Sequence, residues 1–123
     1  MIMHDDDLVN TSYEASLAVM KKVMPFVSKD EAGRQLERSV ISIPGLIAAG
    51  NVPNIAADKR EHALGEAVQF CRQAIVILSF CRDLYGRFVN GALCTELIKT
   101  YRMVSGEIAR EMSNIKEGRE VAS

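Results

Sequence analysis

The chain has few of the residues on which enzymatic and metal sites depend. Its 123 residues include two histidines and three cysteines, with no C-x-x-C pair. No P-loop, nucleophile elbow or glycine-rich phosphate cradle occurs, and the E-x-x-H spacing of a di-iron bundle is absent. The sequence therefore predicts a protein that is not an enzyme, that needs no metal or cofactor, and for which no small-molecule substrate is evident.

Cysteine spacing and apolar runs bear on the compartment. Cys71, Cys81 and Cys94 are odd in number, which favours buried, reduced thiols over disulfides or zinc. The longest nearly apolar run, residues 74–81, is shorter than the ~20 residues that cross a bilayer. The acidic stretch at residues 5–7 is unlike a signal peptide. We expect a cytoplasmic protein without a membrane segment.

Charge is nearly balanced along the chain. Fifteen lysines and arginines face sixteen aspartates and glutamates, for a net charge of −1, and no basic run exceeds two residues. A dedicated nucleic-acid binder carries a strongly basic patch or stripe. The composition argues against that class, and a local basic patch stays open.

Every sustained apolar pattern has helical spacing, and none alternates with the period of a strand. We predict one domain, residues 1–123, with helices at about 7–25, 29–50, 58–85 and 91–116. Pro25 closes or kinks the first helix, Ser28 and Glu31 form a capping box for the second, and residues 51–54 read as a linker. The predicted fold class is all-α, an antiparallel up-down four-helix bundle.

Each predicted helix has an apolar stripe that we expect to face the core. The stripes are Tyr13, Leu17, Met20, Met24 and Val27 in the first helix; Leu36, Val40, Ile43 and Ile47 in the second; Leu97, Tyr101, Val104, Ile108, Met112 and Ile115 in the fourth. The third helix has an inner seam and a second stripe beside it, and Val76 and Phe80 add apolar surface on its other sides. The seam is Ala63, Ala67, Phe70, Ala74, Ile77, Cys81 and Leu84, and the second stripe is Leu64, Val68, Cys71, Ile75 and Leu78. A helix that is apolar nearly all round is buried on more than one face, so we expect one face to meet another subunit.

The second helix carries Pro44 and Gly45 at its middle. An interior proline removes one hydrogen bond and clashes with the preceding turn, at a cost of roughly 3 kcal/mol. The stripe continues on both sides, so we expect a proline-kinked helix held by tertiary packing. Ser42, Gly45 and Ala49 form a stripe of small residues, which predicts close approach of a neighbouring helix.

The same helix carries a family resemblance. Residues 35–50 read Q-L-E-R-S-V-I-S-I-P-G-L-I-A-A-G, against a family pattern of about Q-[IL]-R-R-A-A-x-S-I-P-x-N-I-A-E-G. Residues 70–74 and 102–106 are similar to the family's F-L-x-x-A and R-M-L-x-G. The chain thus resembles the proteins encoded in bacterial ribosomal-RNA intervening sequences, relatives of the accessory variability determinant (Avd) of diversity-generating retroelements. The motif residues singled out as structural are Ser42, Ile43, Pro44, Ile47, Ala48 and Gly50.

Some positions depart from the family pattern. Glu37 replaces an arginine, Leu46 an asparagine and Ala49 a glutamate, and the family's G-S-x-x-E becomes V-I-L-S-F at residues 76–80. Leu46 and Ala49 predict a drier interface than the family's polar pair. The resemblance implies a four-helix bundle that assembles as a ring, typically a pentamer. In the Avd branch it also implies a basic ring that binds nucleic acid and a reverse transcriptase.

Five arginines are the candidate contacts for nucleic acid or a partner protein. An arginine has five donors in a fixed geometry that suits phosphate and carboxylate groups. The alternative is a solvated charged face, paired with Glu37, Asp83, Glu107 and Glu111. The candidates are Arg34, Arg38, Arg72, Arg102 and Arg110.

The leading functional expectation is a non-enzymatic, homo-oligomeric accessory or scaffold protein. A second hypothesis rests on His62, because residues 62–65 are similar to the H-x-L-K of phosphotransfer domains, with Gly65 at the lysine position. A third is an oligomer with a purely structural role.

Overall fold

The structure, a computed structural model, describes residues 5–27 and 30–122. Within these ranges the chain is helical and has no strand, so the all-α prediction is confirmed. The α-helices are α1 (Asp5–Ala18), α2 (Glu31–Gly50), α3 (Ala57–Leu84) and α4 (Gly91–Ala122). Helix α3 packs against α2 and α4, and α1 packs against the same two helices. The four helices therefore surround one core.

The first helix changes its winding before Pro25. A π-helix at Val19–Val23 follows α1, and a 3₁₀-helix at Met24–Phe26 follows the π-helix. Pro25 has no N–H to continue an α-helical ladder, and the Met24 N–H instead bonds the Val19 carbonyl five residues back. The α-helical part ends at Ala18, and the helical segment as a whole continues through Phe26, close to the predicted residue 25.

Helix α2 begins at an aspartate. Asp30 is the N-cap, and its Oδ1 accepts a 3.0 Å hydrogen bond from the Gly33 N–H. Ser28, which the capping-box prediction places there, lies outside the described residues. The helix runs unbroken through Pro44 to Gly50.

The predicted inward stripe of the first helix is right only in part: Val27 is buried and Met20 and Met24 pack against the core, but Tyr13 does not. Tyr13 is 53% exposed, whereas the smaller Ser12, Ala15 and Ser16 are buried. The serines can face the core because both hydroxyls are bonded to carbonyls: Ser12 Oγ to that of Val9 at 3.0 Å, Ser16 Oγ to that of Val40 at 2.6 Å. The Tyr13 side of α1 therefore faces the surface, and the side with Ser12 and Ser16 faces the core.

The core stripes of the other helices are placed largely as predicted. All four stripe residues of α2 are fully buried, as are Tyr101 and Val104 of α4, while Met112 and Ile115 pack at the edge of the core. Cys71, Cys81 and Cys94 are buried free thiols, which confirms that prediction. Leu84, assigned to the inner seam of α3, is instead 75% exposed, because it lies in the last turn of that helix.

Close helix approach occurs at Gly50 and not at the predicted small-residue stripe. A Cβ at Gly50 would lie 2.9 Å from Leu64 Cδ2, whereas one at Gly45 would meet nothing within 4 Å. Gly45 and Ala49 are exposed. Helix α2 turns these positions away from α3, so their small size is not used for packing within the chain.

A relay of hydroxyls crosses three helices beside Pro44. The proline has no N–H to offer the Val40 carbonyl one turn earlier, and the Ser16 hydroxyl of α1 donates to that carbonyl at 2.6 Å. Because Ser16 has one proton, its oxygen accepts from Tyr101 Oη of α4, 3.0 Å away. Burial raises the pKa of Tyr101, which keeps this donor protonated.

Helix α3 is the one helix in the described part of the chain that is long and apolar enough to span a membrane. Eight of its residues, from Leu64 to Cys81, are buried against the rest of the protein. A core helix explains this composition as well as a membrane helix does.

Candidate nucleic-acid or partner interface

The outward side of α3 forms the floor of three adjoining grooves. The largest, about 570 Å³, lies between α2 and α3, and Gln69 lines all three. Its lining comprises Arg38, Glu61, His62, Gly65, Glu66, Gln69, Phe70 and Gln73. A polar surface therefore extends along α3 on the side where α2 meets it.

The two smaller grooves bring in Arg72. One, of about 380 Å³, lies between α3 and α4 and includes Lys116. The other, of about 290 Å³, is lined by Gln35, Gln69, Arg72, Gln73, Val76 and Ile77. Since Gln69 and Gln73 line both this groove and the one with Arg38, the structure brings two predicted arginines to one continuous surface.

The five candidate arginines are all exposed, and they differ in their partners. Arg34 Nη2 lies 3.4 Å from Glu31 Oε2, and Arg110 Nη2 lies 3.6 Å from Glu107 Oε1. The guanidinium groups of Arg38, Arg72 and Arg102 have no hydrogen bond or ion pair with any described residue. These three keep all their donors available.

Position separates the arginines further. Arg34, Arg102 and Arg110 line none of the three grooves. The predicted alternative pairings hold for Arg110 with Glu107 and for Arg82 with Asp83. Glu111 instead pairs with Arg60, at 2.8 Å. Arg38 and Arg72 are therefore the two candidates that combine a groove with an unpaired guanidinium.

Charge divides the surface into two parts. The Arg38 groove also contains the carboxylates of Glu61 and Glu66, whose charge opposes an anion. The groove of Gln35, Gln69, Arg72 and Gln73 has no carboxylate in its lining. Three amide side chains beside one free guanidinium can donate to phosphate oxygens or to backbone carbonyls.

Gln73 is oriented by a neighbouring helix. Its Oε1 accepts a 3.0 Å hydrogen bond from Ser39 Oγ of α2. The amide oxygen is thereby engaged with the protein, and the two amide N–H donors remain for the groove. This contact makes Gln73 a donor toward any ligand, as Arg72 is.

His62 lies on the exposed side of α3. Its side chain is 78% exposed, and its Nε2 lies 3.2 Å from Glu66 Oε1. When the Glu66 carboxylate is negatively charged, it repels an anionic phosphoryl donor that approaches the His62 imidazole. Gly65 stands at the position where phosphotransfer domains carry a lysine, so no cation there offsets this repulsion.

The family-motif residues divide between core and surface. Ile43, Ile47 and Gly50 are buried, and Ala48 is exposed. Ser42 Oγ donates to the Arg38 carbonyl at 2.7 Å. Of the replaced positions, Leu46 packs at the edge of the core, whereas Glu37 and Ala49 face solvent.

Sequence reasoning missed the glutamines of the surface. Gln69 and Gln73 are four residues apart on α3, so the i, i+4 rule places them on one face and could have identified them with Arg72 as a polar patch. The contribution of Gln35 and Arg38 from α2 depends on how the two helices pack, which no local pattern gives.

The described residues contain no group of three or more histidine, cysteine, aspartate or glutamate side chains that could hold a metal ion. Burial raises the pKa of Cys71 to about 12 and that of Cys81 to about 11, so these thiols are poor ligands and nucleophiles at neutral pH. No family model, curated protein or solved structure matches the chain.

Proposed function

We propose that this chain is a non-enzymatic, homo-oligomeric accessory or scaffold protein of the cytoplasm, which docks nucleic acid or a partner protein such as a reverse transcriptase. The observation that carries the proposal is the pair of unpaired arginines, Arg38 and Arg72, on one groove surface with Gln69 and Gln73. The resemblance to the intervening-sequence and Avd proteins supports the same role and suggests a pentameric ring.

The proposed architecture is an antiparallel up-down bundle with α2 kinked at Pro44. Contacts at both ends of α3 support it: Arg60 bonds Glu111 near the end of α4, and Arg82 bonds Thr95 near its start. The residue numbers rise along one helix as they fall along the other. The bond from Ser16 to the Val40 carbonyl supports the kink, since it occupies the acceptor that Pro44 leaves free.

The groove chemistry favours a phosphate-rich or carbonyl-rich ligand. Arg72 and the glutamine amides present donors, and the groove they line contains no carboxylate. Because the net charge of the chain is −1, we expect no strong long-range attraction to nucleic acid. Binding would instead depend on the few side chains of the groove. Repetition of the surface around an oligomer would add such contacts together through avidity.

Gel shifts at low salt with single-stranded RNA, duplex DNA and any co-encoded reverse transcriptase test the docking role. Arg72→Ala and Arg38→Ala should each weaken binding several-fold and reduce its salt dependence, because each removes one phosphate contact. Arg34→Ala is the matched control, since that arginine is already paired with Glu31 and lies outside the grooves. Equal binding by all three variants would overturn the docking surface.

Light scattering tests the oligomeric state separately. The 13.6 kDa chain should elute as a discrete species several times that mass, and a pentamer would be five times. A monomer at micromolar concentration would contradict the scaffold proposal.

Phosphotransfer by His62 is the second candidate, favoured by the 78% exposure of its side chain. Incubation with a phosphodonor should then give acid-labile phosphohistidine that His62→Ala abolishes. The third candidate, a purely structural oligomer, predicts a stable assembly with no gel shift even at low salt, where phosphate-driven association is strongest.

A further inference from the structure

Most of the large apolar side chains exposed on this protein gather at two places. Nine such residues are exposed in the described part of the chain. Tyr13 and Ile41 border a hollow between α1 and α2, while Val76, Phe80 and Leu84 follow one another along α3. We call the first place the hollow and the second the ridge. Clustered exposed apolar side chains are candidate contacts with another molecule.

The hollow is small and almost wholly apolar. It has a volume of about 160 Å³ and is lined by Tyr13, Ser16, Leu17, Met20, Val40, Ile41 and Pro44. The hydroxyl of Ser16 is already bonded to the Val40 carbonyl, so among the lining side chains only the Tyr13 hydroxyl remains as a polar group. A cavity of roughly 150 Å³ lined by aliphatic side chains accommodates a benzene ring.

The ridge is a row of side chains one helical turn apart. Val76, Phe80 and Leu84 are spaced i, i+4, i+8 on α3 and are 51%, 52% and 75% exposed, so they stand on one side of the helix. Phe80 lies in the middle and has an aromatic ring of the size that the hollow accepts. It is also the position where the resembling family carries a glutamate.

The exposed apolar area of the ridge and the hollow is a large share of the apolar area that a protein–protein interface buries. With about 200 Å² for a whole aromatic side chain, ridge and hollow together expose on the order of 500 Å² of apolar surface. A standard interface buries about 1,600 Å² in total, of which about 900 Å² is apolar. The two surfaces would therefore supply more than half of what a stable contact between copies needs.

We propose that the ridge of one copy seats in the hollow of a second copy, with the Phe80 ring between Tyr13, Ile41 and Pro44. This inference rests on the homo-oligomer of the proposed function and assigns its interface. Helix α3 packs on α2 and α4, whereas the hollow lies between α1 and α2. Ridge and hollow thus lie on different faces of one chain, and the ridge adjoins the Arg72 groove at Val76, which lines both surfaces.

An interface between two different faces has a consequence for assembly. Each bound copy still presents one free ridge or one free hollow, so association continues until a ring closes. A ridge packed on a second ridge would instead give a dimer and stop. The two arrangements make opposite predictions for variants with a single damaged surface.

The test uses two charge substitutions and their mixture, followed by light scattering. Phe80→Glu removes the ridge and leaves the hollow intact, and Ile41→Glu does the reverse. Each variant alone should be monomeric, and an equimolar mixture should form a heterodimer of about twice the chain mass. Met103→Glu is the control, because Met103 is an exposed apolar residue on α4 outside both surfaces; it should assemble as the unmodified chain does.

Circular dichroism and thermal melting establish that each variant is folded, as expected for substitutions at half-exposed sites. Assembly of Phe80→Glu alone would overturn the ridge, and dimers of Ile41→Glu alone would replace the proposal with a ridge-to-ridge contact. If the unmodified chain is oligomeric and both variants remain so, the assigned interface fails while the proposed oligomer stands. If the unmodified chain is monomeric, both fail.

Discussion

The Ser16 hydroxyl donates a 2.6 Å hydrogen bond to the carbonyl oxygen of Val40, the acceptor that Pro44 leaves without its helical partner. The bond joins α1 to the middle of α2, and Tyr101 Oη extends it to α4. A residue that would ordinarily weaken a helix is thus matched by a side chain from a neighbouring one. The most unusual feature of the sequence becomes a point of contact among three helices.

Ser16→Ala should lower the free energy of unfolding by about 2–4 kcal/mol, because it leaves both the Val40 carbonyl and the Tyr101 hydroxyl buried without a partner. Tyr101→Phe should cost only about 1 kcal/mol through its hydroxyl, since Ser16 can still donate to Val40. Urea denaturation measures both. Equal costs would show that the carbonyl at Pro44 does not depend on Ser16.

Pro44→Ala provides a double-mutant cycle with Ser16→Ala. An N–H at position 44 can satisfy the Val40 carbonyl within α2, so the serine substitution should cost about 1–2 kcal/mol less in that background. Additive effects of the two changes would contradict the proposed exchange of donors. The comparison also separates the contribution of the hydrogen bond from Ser16 to Val40 from that of the packing of the Ser16 side chain.

Gly50→Ala and Gly45→Ala should change stability in opposite directions. A Cβ at Gly50 meets Leu64 Cδ2 at 2.9 Å, so this substitution should destabilise by about 1–3 kcal/mol. Gly45 has open space around it in a helix, and alanine there should stabilise by about 0.5–1 kcal/mol. Thermal melting of the two variants under one buffer compares them. A gain at Gly50 would mean that α2 and α3 are not held this close.

The Arg60–Glu111 ion pair should contribute more to stability than the Arg34–Glu31 pair. Its atoms are 2.8 Å apart and its side chains are 27% and 30% exposed, against 3.4 Å with 67% and 76%. Glu111→Gln should lower the free energy of unfolding by about 1 kcal/mol. Loss of the Arg34–Glu31 pair in Glu31→Gln should change it very little, because exposed ion pairs are screened by solvent. Urea midpoints at 0.05 and 1 M salt measure the difference, and indistinguishable variants would contradict it.

Stability should fall as the pH rises above about 9. Burial raises the pKa of Cys71 to about 12 and that of Cys81 to about 11, from an ordinary value of 9.0. The folded state thus holds these protons longer than the unfolded state does, so their stabilisation is complete below pH 9 and is lost toward pH 11–12. Urea denaturation across this range should show a decline of up to about 1.4 kcal/mol per pH unit for each group.

Cys71→Ala tests the origin of that decline. The variant should be less stable at pH 7 because it loses packing, yet its stability should fall less steeply between pH 9 and 11. Val68→Ala is the control, a truncation of a neighbouring buried residue that does not titrate. Identical slopes in both variants would assign the decline to other groups.

The sequence alone was sufficient for the all-α class and for most of the inward faces of α2, α3 and α4. The helical spacing of Leu36, Val40, Ile43 and Ile47 predicted the buried side of α2, because apolar area is the main free energy that orients a helix. It was wrong at Tyr13 of α1, which hydropathy placed inward, whereas the structure exposes Tyr13 and buries Ser12 and Ser16. A serine reads as polar until its hydroxyl has a partner: the partner of Ser12 lies one turn earlier on α1, whereas that of Ser16 lies on α2.

The candidate site followed the same division. Local spacing predicted exposed arginines, and it could have added Gln69 and Gln73, since residues four apart share a helix face. Tertiary packing decided that Arg38 and Arg72 border one groove surface. Arg34 and Arg110 instead pair with glutamates three residues earlier on their own helices, which local spacing allows. Sequence determined which elements form, because helical periodicity is local. The fold decided which groups meet between elements, because the hydrogen bond from Ser16 to Val40 and the Arg38 groove each require two helices at once.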